Sequence, residues 1–138
     1  MQDTMDDFYR ENILDHYRNP RNHGHLDAPT ATAEGVNPLC GDELSVELDV
    51  ADGIVRDVRF SGRGCAISQA AASMISDVVK GKTVDEVGAL GREDVLEELG
   101  IPLSPIRLKC AMLSVSVLRV ALGRSPAGDE SELQWRSR

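Results

Sequence analysis

Four residues in this sequence could carry chemistry together: Cys40, Asp42, Cys65 and Cys110. Cys40 and Asp42 share the stretch "NPLCGDELSVELDV" (37–50), a tight turn that runs into an alternating strand pattern. A Cys-Gly-Asp turn is a poor way to fill a core, but it holds a soft sulfur beside a hard oxygen. Cys65, in "FSGRGCAISQAAASM", falls where a strand pattern ends and a helix pattern begins. Cys110, in "SPIRLKCAMLS", falls near the start of the last helical pattern. A thiol near a helix N-terminus meets the positive end of the helix dipole and unpaired N–H groups, which favour the thiolate. The thiolate is the form that binds metal and attacks sulfur. Arg63 and Lys109 add positive charge beside two of the sulfurs, and Gly62 and Gly64 let the backbone approach whatever Cys65 holds. Three thiolates and the Asp42 carboxylate could close a Cys₃Asp tetrahedron around a metal.

The spacing contains no Cys-x-x-Cys pair of the kind that builds structural zinc sites. Ligands drawn singly from three junctions describe a site completed by the fold. A carboxylate holds a soft metal more loosely than a thiolate does, which suits a site that exchanges its contents. On the residues alone two readings stand: a metal or thiol-chemistry site, or three unrelated core cysteines, since free Cys packs as a small hydrophobe. His16 is expected to face solvent or cap its helix, and His23 and His25, flanking Gly24, to be exposed. Met74 and Met112 fit a core, and the acidic run Asp85–Glu98 fits a solvated helix face. Arg63 fits either a surface ion pair or a helper in sulfur transfer.

The elements that position these residues belong to a chain of 138 residues, the size of one domain, 1–138. Such a chain can bury a core without disulfides. With 41% apolar and only 4% aromatic residues, that core must be aliphatic. A formal charge of −8 argues against binding nucleic acid or an anionic membrane, and fits basic partners. The acidic opening has no apolar signal core, and no apolar run is long enough to span a bilayer. The expected location is the cytoplasm. There, an odd number of widely spaced cysteines argues against a disulfide framework.

Residues 4–18 carry Phe8, Ile13, Leu14 and Tyr17 at helical spacing, and 19–31 read as an ordered loop. A strand around 30–36 is expected to pair beside a hairpin. In that hairpin Leu44, Val46, Leu48 and Val50 share one face, Asp52-Gly53 turns, and Ile54, Val58 and Phe60 return on one face. Residues 67–79 follow helical spacing and stop at Gly81. Thr83 with Glu86 has capping-box spacing for a short helix. Residues 92–99 form another, closed by Gly100 and Pro102, and Ser104-Pro105 opens a buried helix to about 122. From about 124 the tail is polar and frayed, with Trp135 able to dock. The fold class is α+β: an N-terminal helix, a three-stranded antiparallel sheet, then helices packed on one face of the sheet.

The stretches "YRENILDHYRNPRNHG" (9–24), "NPLCGDE" (37–43), "GRGCAISQAAASM" (62–74) and "IRLKCAMLS" (106–114) together resemble the scaffold family of iron–sulfur cluster assembly, the IscU and SufU type, similar to NifU N-terminal domains. The resemblance spans nearly the whole chain and includes the order and surroundings of the three cysteines. It implies an α+β fold with a three-stranded antiparallel sheet. It implies that Cys40, Cys65 and Cys110 receive sulfur from a cysteine desulfurase and, with iron, hold a nascent [2Fe–2S] cluster for transfer to recipient apo-proteins. Asp42 matches the family's labile aspartate, and zinc is a possible occupant of the same site. A scaffold of this kind has no turnover of its own.

The alternative that the resemblance carries is a zinc-dependent sulfurtransferase of the SufU kind, with Cys40 as persulfide acceptor. Lys109 stands where the scaffold branch has His and resembles the SufU branch. The compact stretch from Ser76 to Cys110 lacks the insertion usual in that branch and resembles the scaffolds. "IPLSPIR" (101–107) departs from the Leu-Pro-Pro-Val-Lys segment read by a dedicated Hsp70-type chaperone, so the resemblance does not extend to that partner.

Overall fold

A computed structural model describes residues 4–38, 41–124 and 134–137. In chain order the elements are α1 (Thr4–Arg18), β1 (Ala31–Asn37), β2 (Asp42–Ala51), β3 (Ile54–Arg63), α2 (Ala66–Val79), α3 (Val84–Gly88), α4 (Arg92–Leu99), α5 (Pro105–Ala121) and β4 (Gln134–Ser137). The three expected strands form an antiparallel sheet, and helices cover one face of it, with α2 on β3 and α5 on β1 and β2. The fold is α+β, as expected. The sheet order is β3-β2-β1-β4.

Alternation sorts β2 cleanly: Leu44, Val46 and Leu48 are buried, while Ser45 and Glu47 between them are only partly so. The return strand differs from its expected pattern. Val55, Val58 and Phe60 are the buried residues, and Ile54 is only half-buried. The register explains it. Asp49 pairs with Asp57 but Val50 pairs with Val55, so Arg56 is an extra residue on β3. An extra residue in one strand reverses which side chains face the core. The same irregularity leaves Val50 half-buried.

The tail also differs in one place. Residues 134–137 pair antiparallel with β1, Gly35 opposite Trp135. A three-stranded sheet leaves the outer edge of β1 with unpaired backbone groups, which a polar tail can satisfy through its main chain. Residues 125–133 lie outside the described residues, as do the side chains of Phe8 and Trp135.

α2 is buried nearly all round, Ile67 through Ser76 together with Val79. A helix buried on nearly every side belongs at the centre of a fold, and α2 contacts α1, β3, α4 and α5. α5 is the other central helix, buried from Cys110 to Leu118. Met74 and Met112 join the core as expected. Ser104 caps α5 through Arg107 N–H, and Thr83 and Glu86 form the expected reciprocal cap of α3. α1 buries Ile13, while Tyr17 is 45% exposed rather than packed. Among the described residues no helix is long and apolar enough to cross a membrane.

Candidate metal and sulfur site

Two strand ends and two helix starts meet at one point. Asn37 ends β1 and Asp42 opens β2, and the two are partners in the last rung of the ladder. Both occupy inward positions, where the alternation would place apolar residues, and both are 0% exposed. Between them the chain turns back, with Gly41 N–H donating to Asn37 O at 2.9 Å. Gly41 has φ 71°, a left-handed conformation that costs a side-chain-bearing residue about 1–2 kcal/mol. Cys40, between Asn37 and Asp42 in sequence, lies outside the described residues.

Asp42 reaches across to α2. Its Oδ1 accepts the backbone N–H of Cys65 at 2.9 Å, and its Oδ2 lies 3.8 Å from Cys65 Sγ. Cys65 is the N-cap of α2, and its sulfur accepts Ser68 N–H at 3.4 Å. The sulfur thus sits where a capping oxygen normally sits, at the positive end of the dipole. Gly64 makes the contact possible: a Cβ there would fall on the Asp42 carboxylate. Cys110, on the second turn of α5, is 1% exposed and receives Asn37 Nδ2 at 3.9 Å.

Ligand atoms of Asp42, Cys65 and Cys110 all lie within 4.8 Å of one another, and these three form the one such group of His, Cys, Asp or Glu among the described residues. Sulfurs around one zinc ion are about 3.8 Å apart, given Zn–S bonds of about 2.3 Å. The group is therefore within a small adjustment of a tetrahedral face. Its chemistry fits a borderline-soft metal, two sulfurs with one carboxylate. Cys65 is half-buried, and Cys110 and Asp42 are buried. Both cysteines are free thiols.

The remaining candidates take other roles. Arg63 Nε pairs with Glu43 Oε2 at 2.6 Å, with side chains 83% and 45% exposed, a surface ion pair of little energetic worth. His16 neither faces solvent nor caps α1. It is half-buried, with Nδ1 2.7 Å from Ser73 Oγ, which also accepts Arg21 N–H at 2.8 Å. Burial, helped by the Arg21 charge, holds its imidazole below the usual range against the pull of Asp15 and Asp77. His23 and His25 are exposed as expected, yet His23 stands edge-on to Phe60 and His25 Nδ1 pairs with Glu47 at 2.9 Å. Asn37 was not among the expected site residues. The signal for it is an amide at the inward phase of a strand, following Ala33 and Gly35.

The family model described as the NifU-like N-terminal domain matches residues 8–130. The chain belongs to this family. It is 36% identical over 118 residues to the iron–sulfur cluster assembly scaffold protein IscU of Haemophilus influenzae, covering 83% of this chain and 92% of that protein. It is 33% identical to the zinc-dependent sulfurtransferase SufU of Bacillus subtilis, covering 91% of this chain and 97% of the relative. Among solved structures, this NifU-like domain superposes with a TM-score of 0.73 at 27% identity on a putative iron–sulfur cluster assembly scaffold protein for the SUF system from Fervidobacterium islandicum. That match covers 81% of this chain and 94% of the other.

Proposed function

We propose that this NifU-like domain is a scaffold for building iron–sulfur clusters. It takes sulfur from a cysteine desulfurase together with iron, holds a labile [2Fe–2S] cluster on Cys40, Asp42, Cys65 and Cys110, and passes it to recipient apo-proteins. The observation that supports this reading best is the convergence of two thiols and a carboxylate within 4.8 Å at two helix starts. Cys40 joins the proposal by sequence, two residues before Asp42. As acceptor, its thiolate would attack the terminal sulfur of the desulfurase persulfide. The S–S bond breaks, the desulfurase cysteine leaves as thiolate, and Cys40 carries the persulfide with no net oxidation; freeing its outer sulfur as the sulfide of a cluster takes two electrons from an external reductant. Asp42 is the weak link. One of its oxygens is engaged by Cys65 N–H, and carboxylate is a poorer ligand than thiolate for a metal of this softness.

A second reading, a zinc-dependent sulfur relay, is favoured by Lys109. A protonated lysine has no lone pair and cannot ligate, whereas a histidine could. In this reading Cys40, Asp42, Cys65 and Cys110 would hold zinc, and Cys40 would leave it to accept sulfur. The two readings separate in one pair of assays with a cysteine desulfurase. A scaffold loads a cluster from iron and cysteine and passes it to an apo-ferredoxin. A relay raises desulfurase turnover as its zinc form and passes no cluster; that combination would overturn the scaffold reading.

A further inference from the structure

Two polar side chains at the start of α2 have no hydrogen-bond partner although they are buried: Ser68 Oγ, in a residue 1% exposed, and Gln69 Nε2, in a residue 8% exposed. They follow Cys65 by three and four residues on α2. Residues at those spacings share one face of a helix, and helical side chains lean toward the N-terminus, over the preceding turn. Both therefore belong to the turn whose first residue is Cys65. Neither the hydroxyl nor the amide is bonded to Cys65 Sγ, whose donor is Ser68 N–H. Buried donors of this kind are costly unless an acceptor reaches them. The two described sulfurs already have donors, Ser68 N–H at Cys65 and Asn37 Nδ2 at Cys110.

We infer that Ser68 and Gln69 are binding residues for sulfur that arrives with the cargo, donating their O–H and N–H to the inorganic sulfide of a bound cluster. The inference rests on the scaffold reading. A [2Fe–2S] unit held by three thiolates and a carboxylate is anionic. Hydrogen bonds to its sulfurs stabilise that charge and tune its potential. A bare Zn²⁺ ion brings positive charge and no acceptor, so it gains nothing from these donors. The pair would thus favour the sulfide-bearing cargo over a metal ion alone, at a site whose thiol and carboxylate ligands accept both.

The test uses the full chain with Ser68→Ala, Gln69→Met and the double substitution, each measured without metal, with Zn²⁺ alone, and after anaerobic loading with iron and inorganic sulfide. Without metal the double variant should melt higher, by about 3 °C, because two unsatisfied groups are gone. Zinc affinity should stay within about twofold of wild type, while cluster decay should be about tenfold faster, the usual effect of losing a partner one shell out from the metal. The visible circular dichroism of the cluster should shift. Equal cluster lifetimes and spectra in wild type and the double variant would overturn the inference. So would a fall in zinc affinity that parallels the loss of cluster, or a lower melting point of the metal-free single variants, since either would show that the donors serve the protein itself. If wild type binds zinc but forms no cluster from iron and sulfide, the scaffold reading fails first and this inference falls with it.

Discussion

Gly64→Ala tests the joint that holds the site together. The added methyl would fall on the Asp42 carboxylate, whose Oδ1 holds Cys65 N–H at 2.9 Å. The carboxylate must turn away, and that bond is lost. A hydrogen bond to a charged acceptor contributes about 1.5–3 kcal/mol, and its loss leaves a donor at the start of α2 unsatisfied. Gly64 also has φ 158°, at the margin of the conformations that other residues adopt with strain, so about 1 kcal/mol more is expected. The sum, about 3 kcal/mol, corresponds to a fall in melting temperature of about 10 °C for a domain of this size. Thermal unfolding followed at 222 nm measures it, and zinc affinity from a competing chelator dye should fall in the same variant. A Gly64→Ala protein that melts within about 2 °C of wild type and binds zinc as tightly would refute the proposed link between Asp42 and the start of α2.

Asp42→Ala should lengthen the lifetime of a loaded cluster and slow its transfer, because it removes the exchangeable oxygen and leaves the thiolates; faster loss in the variant would count against Asp42 as the release point. Lys109→His should still support a [2Fe–2S] absorption spectrum and give a longer-lived cluster, since imidazole can ligate where ammonium cannot. His16 is held neutral in the fold, with a pKa below the ordinary 6.5. The unfolded chain therefore binds more protons in this range, and stability contributed by neutral His16 is present above pH 6.5 and declines as pH falls from there toward the depressed native value. Urea titrations between pH 7.5 and 5 should show that decline in wild type and a shallower one in His16→Gln. Chelation should lower the melting temperature yet leave most far-ultraviolet circular dichroism intact, because the aliphatic core is complete without metal; unfolding on chelation, as in a zinc finger, would contradict this.

Much of the frame was legible because local chemistry and tertiary packing agree. The alternation at Leu44, Val46 and Leu48, the Asp52-Gly53 turn and the caps at Thr83 and Ser104 are short-range signals, and each element stands where they put it. What was not legible depends on partners far along the chain. The extra residue at Arg56 follows from how β3 meets β2, and it moved Val55 inward in place of Ile54. Half-buried His16 is held by Ser73, 57 residues away, and its own helix gives no hint of that. The site divides the same way. That Cys65 and Cys110 stand at helix starts could be read from helix boundaries, and Asp42 stood out for its company. The bond from Cys65 N–H to Asp42, the Asn37 amide beside Cys110 and the unsatisfied donors on α2 required the packed chain.

In the proposed scaffold one site holds a cluster on Asp42, Cys65 and Cys110 together with Cys40. Anaerobic loading with iron, cysteine and a desulfurase, followed by Mössbauer and absorption spectra of wild type, Cys40→Ser, Cys65→Ser and Cys110→Ser, tests it most directly. Wild type should show a [2Fe–2S] signal that every one of the three substitutions removes or makes short-lived. A wild-type cluster that survives unchanged in Cys65→Ser or Cys110→Ser, or no cluster signal in wild type at all, would contradict it.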